Sequence, residues 1–243
     1  MSNPALTVAI LAGGLATRLR PVTERVPKSL LEVNGEPFAL HQLRLLHAKG
    51  IRRVVLCVGH LGALVERAIG DGDALGLQVD YSFDGPSLLG TAGAIRNALP
   101  KLGDAFFVMY GDSYLPCDYA AIARSFESRS ALAMMTIFGN EGKWDASNVE
   151  YEAGTILAYS KKNWTPRMRH IDYGLGVFRA QAFQNLPAHV ACDLADLYRD
   201  LLQRKQLAAF EVHERFYEIG SPAGLRETAE FLAAREANQE SQP

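Results

Sequence analysis

Residues 6–11 form an uninterrupted apolar run, the pattern of a short strand buried on both faces. A loop rich in Gly, Arg and Pro follows to about Pro37. Residues 38–49 then carry Leu40, Leu43 and Leu46 at helical spacing, and Gly50 stops them. Residues 54–58 predict a second buried strand. Leu61, Leu64, Val65, Ala68 and Ile69 mark one face of a second helix ahead of Gly70. Residues 78–82 alternate polar and apolar, which predicts a strand nearer a sheet edge. Residues 91–99 read as a helix and 105–110 as a strand. Strands that alternate with helices predict an α/β fold, a mostly parallel sheet with helices on both faces. The second half is less regular. Strands are expected over 132–138, 148–152, 156–160 and 173–178, and helices over 192–204 and 221–234. Ser221 is the expected N-cap and Pro222 the first helical residue. The polar tail after Ala234 is expected to fray. The change of pattern near residue 140 reads as an inserted lobe within one domain.

The chain has 243 residues, enough for one large α/β domain. With 25 basic and 27 acidic residues its net charge is −2, so no global field favours nucleic acid or an anionic membrane. No apolar run approaches the roughly 18 residues of a spanning helix, and the first residues do not read as a signal peptide. Cys57, Cys117 and Cys192 are scattered and odd in number, the usage of reduced thiols in a cytoplasmic protein. Nothing in the composition opposes an oligomer of identical chains.

In an open parallel sheet, ligands sit beyond the carboxyl ends of the strands. The segment after the first strand, Leu11-Ala12-Gly13-Gly14-Leu15-Ala16-Thr17-Arg18-Leu19-Arg20-Pro21, falls there. Gly13 and Gly14 allow close backbone approach to an anion, Thr17 adds a hydroxyl, and Arg18 offers a planar cation for phosphate oxygens. Pro27-Lys28 brings a compact charge. By itself such a loop is also what an ordinary strand-to-helix turn looks like. It is neither G-x-G-x-x-G nor the P-loop, which argues against a dehydrogenase. Leu89-Gly90-Thr91-Ala92-Gly93 opens a helix with small residues, as either a close-approach surface or a plain glycine-rich cap would. Asp112 ends a strand beside the basic loop, where a Mg²⁺ ligand or a turn-capping Asp would stand.

The spacing of Gly13, Gly14, Arg18 and Lys28 resembles the signature of the sugar-1-phosphate nucleotidyltransferases, L-A-G-G-x-G-T-R-L-x-P followed by P-K. The resemblance covers about residues 6–233. It implies a Rossmann-like sheet with an inserted sugar-binding lobe: a nucleotide-binding part over about 1–140, the lobe over about 141–215, and a C-terminal metal-ligand segment with its helix over 216–243. Its substrates would be an NTP and a sugar 1-phosphate. Leu11, Gly13, Gly14, Thr17, Gly90 and Thr91 would then contact the nucleotide, Arg18 the triphosphate, and Lys28 the charge between phosphates. Gly111-Asp112 matches the family's metal aspartate, and Phe216-Tyr217-Glu218-Ile219-Gly220-Ser221 places Glu218 on the second Mg²⁺ ligand, where the family has aspartate. Asn148, Lys162 and Gly174 match sugar-lobe positions, Lys162 toward the sugar phosphate, and Asp172 is a candidate hydroxyl acceptor. Two further departures stand out. Ala16 replaces the second loop glycine, so a negative φ is required there, and Lys161 replaces a sugar-binding glutamate. Lys161, Lys162, Arg167 and Arg169 together also fit a merely solvated basic loop. The resemblance further suggests GTP or UTP with a heptose- or hexose-type 1-phosphate for envelope or capsule polysaccharide. A non-catalytic nucleotide-sugar-binding paralogue, or a cytidylyltransferase acting on a non-sugar phosphate, is the competing expectation.

Overall fold

The computed structural model describes residues 6–14 and 22–240. In chain order its elements are β1 (Thr7–Leu11), β2 (Glu32–Val33), β3 (Glu36–Pro37), α1 (Phe38–Ala48), β4 (Arg53–Val58), α2 (Gly62–Ile69), β5 (Gln78–Phe83), α3 (Gly90–Leu102), β6 (Ala105–Tyr110), β7 (Ser113–Tyr114), α4 (Tyr119–Glu127), β8 (Ala133–Gly139), β9 (Val149–Glu152), β10 (Thr155–Tyr159), β11 (His170–Arg179), α5 (Leu194–Gln203), β12 (Leu207–Val212), β13 (Tyr217–Glu218) and α6 (Pro222–Glu240). Among the described residues no helix is long and apolar enough to cross a membrane.

The first half builds a parallel sheet in the order β5-β4-β1-β6, with β5 at the edge as its alternation predicts. Period-two alternation within β1 sorts the helices. Val8 and Ile10 share an apolar cluster with Leu43, Leu46, Val65 and Ile122, from α1, α2 and α4. Ala9 shares another with Val55, Cys57, Ile95 and Leu197, from β4, α3 and α5. Helices therefore cover both faces, and residues 8–11, 54–58 and 105–110 between them are apolar throughout.

β11 continues the sheet antiparallel to β6, and β8 lies antiparallel to β11 with β12 parallel beyond it. The first residue of β11, His170, also pairs with β9, so one long strand joins the β9–β10 hairpin to the central sheet. Between Asp172 and Gly176 the register with β8 shifts. Gly174 there has φ +92, a conformation that a side chain would strain. This irregularity turns Asp172 and Gly174 toward the carboxyl edge of the parallel strands.

Several boundaries differ from the periodicity for local reasons. The strand expected over 173–178 begins at His170, because pairing on both sides carries polar His170 and Asp172 into the ladder. The helix expected from residue 192 begins at Leu194, since the Asp193 carboxylate accepts from Ala195 N at 2.8 Å and caps it. α3 runs through Pro100 to Leu102. Ser221 does accept from Gly224 N at 3.0 Å as a cap, with Pro222 first in α6. α6 continues past Ala234 to Glu240, beyond the expected fraying point. Unexpected elements carried signals all the same. Asn34-Gly35 makes the β2–β3 turn with φ 52 and 84. Asp118 caps α4 through Ala121 N, with Ile122 and Phe126 one turn apart and both buried.

Candidate active site

The carboxyl ends of β1, β4 and β6 open on a cavity of 290 Å³. Gly13 passes so close to Gly59 that a Cβ would sit 3.0 Å from Gly59 N. Gly14 has open space around it, and both line the cavity with Leu11. The Leu11 carbonyl is used internally, accepting from Gly111 N at 3.0 Å. Ala16, Thr17 and Arg18 lie outside the described residues.

Gly90 and Thr91 line the same cavity at the start of α3. Their fixed partners are protein groups. Ala92 N and Gly93 N donate to Cys192 O at 2.9 and 3.3 Å, which engages the first-turn donors that a ligand would otherwise meet. A Cβ on Gly90 would lie 2.6 Å from that carbonyl oxygen, and one on Gly93 2.7 Å from Val190 O. Thr91 Oγ1 accepts from Leu194 N at 2.7 Å and so helps cap α5. The small residues of this segment thus admit the 190–192 backbone on one side while facing the cavity on the other.

Two cavity groups escaped the sequence reading. Asp84 stands one residue beyond β5, a strand-end carboxylate like Asp112, which stands two residues beyond β6. Its Oδ2 accepts from Leu89 N at 3.2 Å. Burial lifts its carboxyl above the usual carboxylate range, against that hydrogen bond. Cys57 lies nearby, its thiol pushed up to about 12 by burial and then by the charge of Asp84, so it is an inert wall rather than a nucleophile.

Tyr110 and Asp112 form the partition to a second cavity of 470 Å³, and both line each side. Pro27 with its extended backbone feeds a single 3₁₀ turn, Lys28–Leu30, which aims Lys28 at the partition. Lys28 Nζ donates to Asp112 Oδ2 at 2.5 Å. Glu218 arrives on β13, which pairs antiparallel with β7 so that Glu218 stands opposite Ser113. Ile219 N donates to Asp112 O at 2.9 Å. Both Lys28 Nζ and Glu218 Oε1 lie within 3.5 Å of where a Cβ on Gly220 would be. Asp112, Glu218 and Lys28 thus converge although they are far apart in sequence. Among the described residues no group of three or more His, Cys, Asp or Glu side chains is placed to hold a metal.

The second cavity also takes in Asn148, Lys161, Lys162, Asp172 and Gly174. Asn148 ties strands together: its Oδ1 accepts from Asp172 N at 2.9 Å. Asp172 accepts from Gly174 N at 3.1 Å and from Tyr159 OH at 3.3 Å. Its carboxyl is raised by burial against the pull of the Lys161 cation. Lys161 Nζ donates to Tyr110 OH at 3.2 Å. Burial works against that ammonium, but the Tyr110 and Asp172 oxygens outweigh it and hold its pKa above the ordinary lysine value. Lys162 is exposed, its backbone N–H donating to Ser160 Oγ at 3.2 Å. Of the basic loop, Arg167 pairs instead with Glu150 at 3.1 Å. His170 faces Glu211 at 3.3 Å, away from this chemistry.

A family model described as nucleotidyl transferase matches residues 7–235. The chain belongs to the nucleotidyl transferase family. It is 29% identical over 241 residues to an N-acetylmuramate alpha-1-phosphate uridylyltransferase of Neisseria meningitidis serogroup B, covering 93% of this chain and 97% of that protein. It is 31% identical over 189 residues to a mannose-1-phosphate guanylyltransferase of Mycobacterium tuberculosis, covering 77% of this chain and 52% of that protein, so it spans about half of that relative's length. HddC from Yersinia pseudotuberculosis, complexed with GMP-PN, has the same fold at a TM-score of 0.78 and 22% identity, over 93% of this chain and 99% of that one. For a nucleotidyl transferase, a glycine-lined cavity joined to a second one across a Lys–Asp pair is a chemically sensible layout. The enzyme must hold two phosphates in line at one point.

Proposed function

We propose that the chain transfers a nucleotidyl group from an NTP to a sugar 1-phosphate, giving an NDP-sugar and pyrophosphate. The Lys28–Asp112 pair on the wall between the two cavities carries this reading. The NTP occupies the glycine-lined cavity and the sugar phosphate the one lined by Asn148, Lys162, Asp172 and Gly174. A phosphate oxygen of the sugar phosphate attacks the α-phosphorus. The bond from that phosphorus to the β-phosphate bridge breaks, and pyrophosphate leaves. Lys28 stabilises the charge gathered where the two phosphates meet, Arg18 holds the triphosphate, and Lys162 holds the incoming phosphate.

Asp112 and Glu218 are the groups that would hold Mg²⁺. Two hard carboxylates without a third suit an ion that keeps waters and phosphate oxygens as its other ligands. When bound, Mg²⁺ supplies charge neutralisation for the leaving pyrophosphate. Asp84 favours GTP over UTP. Its Oδ1 has no hydrogen bond among the described residues, and guanine offers adjacent N1–H and N2–H₂ donors to a carboxylate. A uracil edge would set a carbonyl beside each such contact. The product would serve envelope or capsule polysaccharide synthesis.

The test is pyrophosphate release from GTP, UTP, CTP and dTTP against mannose, glucose and N-acetylmuramate 1-phosphates, with thermal shift for each NTP. A native-state ligand raises stability with ln(1 + [L]/Kd). GTP should give the largest shift and the fastest release. An NTP that stabilises the fold while no pair releases pyrophosphate would return the chain to the regulatory paralogue reading.

A further inference from the structure

The second cavity is not isolated. Beyond it lies a third cavity of 410 Å³, and the two share Asp145, Ala146, Ser147 and Trp164 as walls. Trp164 is the divider, and its side chain is 64% exposed. No ring or cation contact holds its indole among the described residues, whereas Trp144 is covered by the Arg215 guanidinium 3.4 Å from its ring centroid. A large exposed aromatic on the rim of a polar cleft costs hydration free energy unless a ligand covers it.

Local structure fixes where this ring stands. The Ser160 hydroxyl accepts from Lys162 N and Asn163 N at 3.2 and 2.8 Å, and Met168 N donates to Thr165 O at 3.0 Å. One compact turn thus presents two lysines and, two residues on, an indole face to the same cleft. On the other side, Asn140 is fully buried and organises the loop that carries Asp145 to Ser147, with Nδ2 donating to Asp145 O at 2.6 Å. Both walls are built, and Pro166 and Met168 give the third cavity apolar lining beside the charged Glu141 and Arg169.

We propose that Trp164 is the platform for the sugar ring of the substrate, and that the cavity beyond it takes a bulky substituent with an apolar end, of the acylamino kind. The inference rests on the sugar 1-phosphate reading above and narrows it. The C–H-rich face of a pyranose is slightly positive and the indole face negative, so the two stack. The phosphate is then left toward the lysines and the partition. An acylamino group on C2, the ring carbon next to the one that bears the phosphate, reaches past Trp164, where an unsubstituted hexose leaves the outer cavity to water.

The chain has two tryptophans, so Trp144→Phe leaves Trp164 as the sole indole reporter. Its emission is titrated with N-acetylglucosamine 1-phosphate, glucose 1-phosphate and inorganic phosphate, each with a non-reacting α,β-methylene GTP or UTP analogue present. Both sugar phosphates should change the emission saturably and inorganic phosphate should not. N-acetylglucosamine 1-phosphate should half-saturate at about tenfold lower concentration, the scale of one buried apolar contact. In turnover, Trp164→Ala should raise the KM for sugar phosphate about tenfold without moving the KM for NTP, and Trp164→Phe should restore most of it. Emission that ignores both sugars, or answers inorganic phosphate equally, overturns the platform. Equal response to the two sugars overturns the outer subsite. Wild-type turnover with an unchanged Trp164→Ala variant would sink this inference alone, whereas wild-type protein that releases pyrophosphate with no pair would sink the activity itself.

Discussion

Lys28 keeps only 20% of its side chain exposed and is held by Asp112 at 2.5 Å, so its ammonium is oriented before any substrate arrives. A charge fixed in advance costs no reorganisation during the reaction. Lys28→Ala and Arg18→Ala should each lower turnover by roughly 10²-fold or more. For Lys28→Ala the far-UV spectrum and melting temperature should stay near wild type, because the ion pair is partly open to water. Wild-type rates in either variant would remove that residue from the phosphate site. Asp84 supports a prediction with a pH sign. Burial makes the folded protein hold the Asp84 proton more tightly than the unfolded chain does. The cost therefore begins as pH rises through the ordinary carboxylate range, where the unfolded chain ionises first, and is complete above the folded pKa; below that range both states are protonated and there is no cost. Asp84→Asn should raise the melting temperature at neutral pH, with the gain shrinking to nothing in acid, and should weaken any preference for GTP. A gain that grows as pH falls would contradict the burial argument.

At the scale of elements, α3 and α5 are joined through the 190–193 segment, and the join depends on missing side chains. Gly93→Ala would drive a methyl against Val190 O, and backbone cannot move aside as a flexible side chain can. The expected loss is about 1–3 kcal/mol, measured as a lower denaturant midpoint at unchanged slope. Unaltered stability would mean that the segment gives way easily. The turn built on Ser160 yields a second expectation. Lys162→Ala should raise the KM for sugar phosphate well above any change for NTP. Equal effects on both substrates would leave Lys162 as a solvated surface lysine. β1, β4 and β6 were legible because burial on both faces writes apolar runs into the sequence, and α1 and α2 because their apolar residues recur at helical spacing. β12 was not, since Leu207–Val212 is a short run whose assignment depends on β8 lying beside it.

For the whole molecule, what matters is that the chain reverses direction at β11. Its antiparallel pairing with β6 sets Leu175 beside Met109 and carries Asp172 and Gly174 to the edge where Tyr110 and Asp112 end. The return of the chain as β13 against β7 then delivers Glu218 beside Ser113. Asp112→Asn should abolish Mg²⁺-dependent turnover while leaving the apo fold intact. Glu218→Asp should keep partial activity, because the carboxylate remains with a shorter reach. Full activity of Glu218→Ala in limiting Mg²⁺ would take Glu218 out of the metal site.

The sequence alone determined what depends on neighbours along the chain. The βα alternation, the glycine pair after β1, the cap at Ser221 and the carboxylate just beyond β6 all follow from local periodicity and spacing. It marked Asp112, Lys28 and Glu218 one by one, each by its motif. Only the tertiary structure decided their company: that Lys28 lies on Asp112, that Thr91 caps α5, and that Lys161 rather than Lys162 reaches Tyr110. Asp84 facing the nucleotide cavity and Trp164 dividing two others belong to the same class. Such facts depend on strand pairing between segments tens to more than a hundred residues apart, and on backbone passing within a Cβ's width of glycine. Side-chain periodicity reports which face of an element is buried. It carries no information about which distant element comes to lie against that face.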